Sequence, residues 1–158
     1  MTDDRPRFTL GTAWPAGYQA MSSFTHAVNT SGLEENLIQL VYMRASQING
    51  CAYCLDMHSK DARAAGETEQ RLYALAAWRE TPFFSVRERA ALAFTEALTL
   101  VARTRLSEDV VDQATDCFSE DELAKLAFAI AEINAWNRLA IAARLEVGGY
   151  QPRAGARA

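Results

Sequence analysis

Apolar residues recur along this chain at three- and four-residue intervals, and no stretch alternates in the two-residue rhythm of a strand. The clearest stripe runs Leu123, Leu126, Ile130, Ile133, Asn137, Ala140 and Arg144, with Asn134 one step aside. The pattern predicts helices over 18–29, 33–48, 51–65, 68–78, 86–101, 108–117 and 120–145. Short polar connections between them predict an all-α, single-domain bundle of about seven helices. Residues 1–15 read as an N-terminal extension and 149–158 as a flexible tail, with Arg153 and Arg157 in the tail.

Helix ends are marked in the sequence. Ser31-Gly32-Leu33-Glu34, Ser85-Val86-Arg87-Glu88 and Ser119-Glu120-Asp121-Glu122 each place Ser three residues before Glu, the pattern of a reciprocal capping box. Ser107, followed by Glu108 and Asp109, reads as a further N-cap with acids where the helix dipole favours them. Asn49-Gly50, Gly66, Thr81-Pro82 and Gly148-Gly149 read as stops.

Composition narrows the function classes. With 158 residues, 49% apolar and 23% charged, the chain is long enough and apolar enough to bury a core. Its net charge of -4 and the absence of a basic block argue against a nucleic-acid partner. The N-terminus lacks the apolar segment of a secretory signal. The most apolar stretch, 123–133, is broken by Lys125 and Glu132 and is too short to span a membrane. A cytoplasmic protein is expected. Of the three cysteines, Cys117 reads as a small apolar helix residue, whereas the other two are spaced for chemistry.

That chemistry lies in Cys51-x-x-Cys54-x-x-x-His58, directly after the helix stop Asn49-Gly50. Two cysteines three apart at a helix mouth lie within disulfide reach, and the free N–H groups there favour thiolate. His58, four residues after Cys54, shares its face and can take a thiol proton. Helix position favours Cys51 as the reactive sulfur, and the nearby base favours Cys54. If the flanking helices run antiparallel about residue 48 or 49, positions summing to about 97 face each other. Gln39 then meets His58 and Met43 meets Cys54. Gln39 can bond the imidazole but cannot carry its proton. Ser46, Tyr53 and Asn137 are further relay or pocket candidates, and a core-facing Asn must find partners.

Two other readings compete. Cys51, Cys54 and His58 are ligand types that zinc prefers, but a fourth is lacking: His26 is remote and Asp56 points off the shared face. A helical scaffold with little turnover, keeping the pair as a redox switch, is kept open by Gln39. Trp14, Trp78, Trp136, Phe83, Phe84, Phe94 and Phe128 read as core or interface packing. The charged run Arg87-Glu88-Arg89 reads as solvated surface.

The stretch Arg44-Ala45-Ser46-Gln47-Ile48-Asn49-Gly50-Cys51-Ala52-Tyr53-Cys54, with Asp56-Met57-His58 and Asp61-Ala62-Arg63, resembles the alkylhydroperoxidase D-like, or carboxymuconolactone decarboxylase, family. The segments 77–83 and 134–138 are similar to one branch of it. The resemblance implies an all-helical subunit forming trimers or hexamers, and a cofactor-free peroxidase reset by an external dithiol. It implies Cys54 as the attacking thiolate on a hydroperoxide, Cys51 as the resolving thiol and His58 as the base. The family's relay usually begins with a Glu twelve residues before the first Cys, the position of Gln39 here. Lactone decarboxylation is the poorer match, since it needs no redox cysteine pair.

Overall fold

Residues 5–152 are described by the structure, a computed structural model, and they form helices without a strand. In chain order these are α1 (Leu10–Ala13), α2 (Pro15–Asn29), α3 (Glu35–Asn49), α4 (Ala52–Ala64), α5 (Glu69–Ala74), a 3₁₀ segment (Leu75–Glu80), α6 (Val86–Thr99), α7 (Val101–Thr104), α8 (Glu108–Cys117) and α9 (Glu120–Ala143).

The apolar period of α3 goes most of the way round, so this helix is central and packs against α4, α6 and α9. Ala45, Ala91 and Ala129 are fully buried where α3, α6 and α9 meet, and their small side chains let the helices approach closely. Val41, Tyr42, Phe94, Ile130 and Ile133 fill the space around them. A second apolar cluster, Leu40, Met43, Leu72, Leu75, Trp78, Phe84 and Leu92, lies between α3, the α5 region and α6.

Two of the three expected capping boxes are present, at Ser85 with Glu88 and at Ser119 with Glu122. Replacing Ser119 by Ala is expected to cost about 1 kcal/mol. Thermal unfolding should then fall by roughly 2–4 °C, with the fold unchanged by circular dichroism. The third box does not form. α3 starts at Glu35, after Glu34 has turned its carboxylate to Arg87, 2.8 Å away. Ser107 occupies the N-cap of α8 without a side-chain bond.

Other expectations shift for local reasons. The helix expected over 68–78 breaks at Ala77 (φ -113°, ψ 29°), and the Arg89 guanidinium binds the carbonyls of Trp78, Arg79 and Thr81 beyond the break. The chain expected to run unbroken to 101 leaves the α-helix at Leu100 and resumes as α7. The run Arg87-Glu88-Arg89 is not simply solvated surface. Arg87 bridges Glu34 and Glu122 and lies over the Phe118 ring, while Glu88 pairs with Arg71.

Of the N-terminal extension, α1 is helical, and Arg7 binds the carbonyls of Ile141, Ala142 and Ala143 at the end of α9. Of the tail expected from 149, Tyr150 lies against α4, its hydroxyl donating to Asp61 at 2.7 Å. Arg153 and Arg157 lie outside the described residues.

Trp78, Phe84 and Phe94 are core residues, and Cys117 packs half-buried against the first cluster. Trp14 and Phe128 stand out from the surface, 71% and 60% exposed. No helix among the described residues is long and apolar enough to cross a membrane.

Candidate active site

Gly50 ends α3 in the left-handed region at φ 69°, a conformation that favours glycine, and lets the chain reverse into α4 within one residue. Cys51 is the N-cap of α4, and its Sγ accepts the Cys54 N–H at 3.3 Å. A sulfur so placed meets the positive end of the helix. Cys51 and Cys54 are joined as a disulfide, with Cα atoms 5.3 Å apart.

His58 follows one turn deeper on α4 and is buried. Its Nδ1 lies 3.2 Å from Gln39 Oε1. An amide oxygen only accepts, so the imidazole donates through Nδ1–H and its Nε2 keeps the lone pair. Antiparallel pairing of α3 and α4 thus places Gln39 opposite His58, as the residue sum of 97 predicts. Burial pushes the His58 pKa down to about 4, so the ring is neutral near pH 7. In this oxidised state His58 makes no hydrogen bond to either sulfur among the described residues. Tyr42, one turn after Gln39 on α3, tilts its ring against the imidazole at 4.8 Å.

Both sulfurs are closed off. Cys51 and Cys54 are 1% and 2% exposed and form a small cluster with Ala140, Tyr53 and Leu145. Leu145 follows Arg144, whose left-handed backbone ends α9 and turns the chain back over the site. The following residues are tied to α4. Gly148 N–H donates to Asp56, and Lys60 Nζ donates to the Gly148 and Tyr150 carbonyls. Tyr53 is half-buried against the sulfurs, and burial raises its phenol pKa.

Ser46 and Asn137, both fully buried, bond each other, Asn137 Nδ2 donating to Ser46 Oγ at 3.0 Å. Asn49 joins them, its amide donating to Asn137 and Asn134 at 2.8 and 3.0 Å. Met43 belongs to the second apolar cluster and lines a cavity of about 340 Å³ with Leu55, Asp56, Ser59 and Arg63. His26 is exposed on α2. Among the described residues no group of three or more His, Cys, Asp or Glu side chains is placed to hold a metal ion, so the zinc reading gains no support.

Three nearby residues escape a reading by motif. Asn49 is legible as a helix stop, yet its side chain is the hub of the amide network. Tyr42 lies on the face of α3 that carries Gln39, three residues on, so its approach to His58 was available from helical spacing. Glu132 interrupts an apolar run and is nonetheless 1% exposed. Its carboxyl accepts from Thr25, and burial raises its pKa.

The profile of the carboxymuconolactone decarboxylase family matches residues 15–97. The uncharacterised protein YdfG of Bacillus subtilis is 39% identical over 128 residues, 81% of this chain and 87% of its own length. Among solved structures, ATU0492 of Agrobacterium tumefaciens, a protein of unknown function whose name suggests antioxidant defence by AhpD, superposes with a TM-score of 0.90. It is 37% identical, and the match covers 92% of this chain and 100% of that one. The debrominase Bmp8 shares the fold at a TM-score of 0.77 and 23% identity, over 85% of this chain and 73% of its own. This chain belongs to the carboxymuconolactone decarboxylase family and has its AhpD-like fold.

Proposed function

We propose that this chain is a cofactor-free thiol peroxidase, supported above all by a bonded Cys51–Cys54 pair at the mouth of α4 with a buried, neutral His58 one turn deeper. In the reduced protein His58 Nε2 takes the Cys54 thiol proton. The growing thiolate beside it raises the basicity that burial alone depresses. The Cys54 thiolate attacks the terminal oxygen of a hydroperoxide and the O–O bond breaks. The alcohol leaves with the proton His58 returns, and Cys54 becomes a sulfenic acid. The Cys51 thiol condenses with it, releasing water and closing the disulfide. An external dithiol then takes up the oxidising equivalents and restores both thiols.

Family membership and the antioxidant role suggested by the name of ATU0492 favour this chemistry. We further propose a cytoplasmic homo-oligomer, a trimer or hexamer, since exposed Phe8, Trp14, Tyr18 and Phe128 offer apolar surface for another subunit. Reduced protein mixed with an organic hydroperoxide or hydrogen peroxide in a stopped-flow instrument should lose its two motif thiols at a rate that rises linearly with peroxide. Thiol loss no faster than that of free cysteine defeats the proposal.

Gln39 favours a second reading, a redox-responsive scaffold with little turnover, because position 39 carries no acid to pass a proton through His58. A Gln39→Glu variant separates the two. A gain in turnover supports the peroxidase; no turnover in either form supports the scaffold.

A further inference from the structure

Three asparagines and a serine from two helices converge on the turn that carries Cys51. The Asn49 amide nitrogen uses both hydrogens, one on Asn137 Oδ1 at 2.8 Å and one on Asn134 Oδ1 at 3.0 Å. Asn137 Nδ2 donates to Ser46 Oγ at 3.0 Å, and both residues are fully buried. The Ser46 carbonyl accepts from the N–H groups of Gly50 and Cys51. Asn134 is anchored in turn, its amide nitrogen donating to Thr99 Oγ1 on α6 and to the Ile130 carbonyl. α9, and through Thr99 also α6, thereby hold the backbone between Ser46 and Cys51.

We propose that this amide network positions Cys51 against Cys54, and that Asn137 is a positioning residue setting the balance between disulfide and dithiol. The inference rests on the reading of Cys51–Cys54 as a redox pair. An Asn-Gly turn with glycine in the left-handed region has several conformations of similar energy when nothing else restrains it. In the dithiol each of these would carry the Cys51 sulfur to a different place. Tying Asn49 to Asn137 and Asn134 removes that freedom before the S–S bond forms, so Cys51 meets Cys54 at high effective concentration. The Asn137 amide is engaged by Ser46 through its nitrogen and by Asn49 through its oxygen. Asn137 acts through Asn49 and Ser46, within a polar network that is satisfied end to end.

The test is the equilibrium constant for reduction of the Cys51–Cys54 disulfide by dithiothreitol, measured on full-length native protein, Asn137→Ala and Asn49→Ala. Ser119→Ala serves as a control that weakens α9 without touching the turn. Both Asn variants should shift the equilibrium five- to fiftyfold toward the dithiol. A tenfold shift corresponds to about 30 mV for this two-electron couple. Ser119→Ala should stay within twofold of native. Asn49 is only half-buried, so its variant keeps the test open if Asn137→Ala does not fold. An equilibrium within twofold of native in the folded Asn variants, or an equal shift in Ser119→Ala, overturns the inference. Peroxide plays no part in this measurement. If the shift is found and hydroperoxides are not reduced, the positioning role stands and the peroxidase proposal falls.

Discussion

Cys54→Ser protein is expected to form no intramolecular disulfide on exposure to hydroperoxide, and its peroxide turnover to fall to the uncatalysed background. Cys51→Ser is expected to do the opposite at the first step. It should still react, and a sulfenic acid should accumulate at Cys54, where dimedone labelling followed by peptide mass spectrometry will find it. The assignment is a real contest. Cys51 Sγ holds the favoured electrostatic position, accepting the Cys54 N–H at the helix mouth. His58 sits four residues from Cys54, on the same face of α4. A thiol is deprotonated by a base it can reach, and that is the ground on which Cys54 is proposed as the attacking sulfur. Sulfenic acid trapped at Cys51 in the Cys54→Ser protein would reverse the two roles.

The second large effect concerns His58. Replacing it by Gln is expected to slow the reaction of Cys54 with peroxide by about 10²–10⁴-fold at pH 7, the usual contribution of a positioned general base. The same substitution should change how stability depends on acidity. Burial holds the His58 pKa at about 4, below its ordinary 6.5. As pH falls through 6.5, the unfolded chain takes up a proton that the folded one refuses, so stability declines until pH reaches about 4. The loss across that window is about 3 kcal/mol.

Glu132 and Asp61 act in the other direction, because their raised pKa values favour the folded state as they protonate. Glu34 and Glu96, whose pKa values are lowered, add their own loss only below the ordinary carboxylate range. The difference between native and His58→Gln curves cancels these common contributions. Urea unfolding between pH 4.5 and 7 should show a flatter profile in the variant. Parallel curves would mean that His58 is not held neutral by burial.

The site was legible from the chain wherever its geometry is helical. Cys51, Cys54 and His58 fall on α4 at intervals of three and four, and Gln39 meets His58 because two helices joined at Gly50 run antiparallel. The same arithmetic set Met43 against Cys54, and Met43 also joins the apolar cluster of Leu40 and Leu72, since α3 faces the α5 region as well. Ser31 has the spacing of a cap and does not act as one. Arg87, 53 residues from Glu34, competes for the same carboxylate. Ser85 and Ser119 keep their boxes although Arg71 and Arg87 also reach Glu88 and Glu122, because each stands at the N-cap itself, whereas Ser31 lies three residues before the N-cap Glu34.

Helix type, caps, the left-handed stop at Gly50 and the spacing of Cys51, Cys54 and His58 depend on residues within about one turn of each other, so the order of amino acids specifies them directly. Folding in three dimensions brought together what lies far apart in the chain. Asn137 reaches Ser46 across 91 positions, Glu132 is buried beside Thr25 from 107 away, and Leu145 comes back over a disulfide formed at the start of α4. Helical periodicity says which side of a helix is apolar. It carries no record of which other helix that side will meet, and the partners of the buried polar groups follow from that meeting alone.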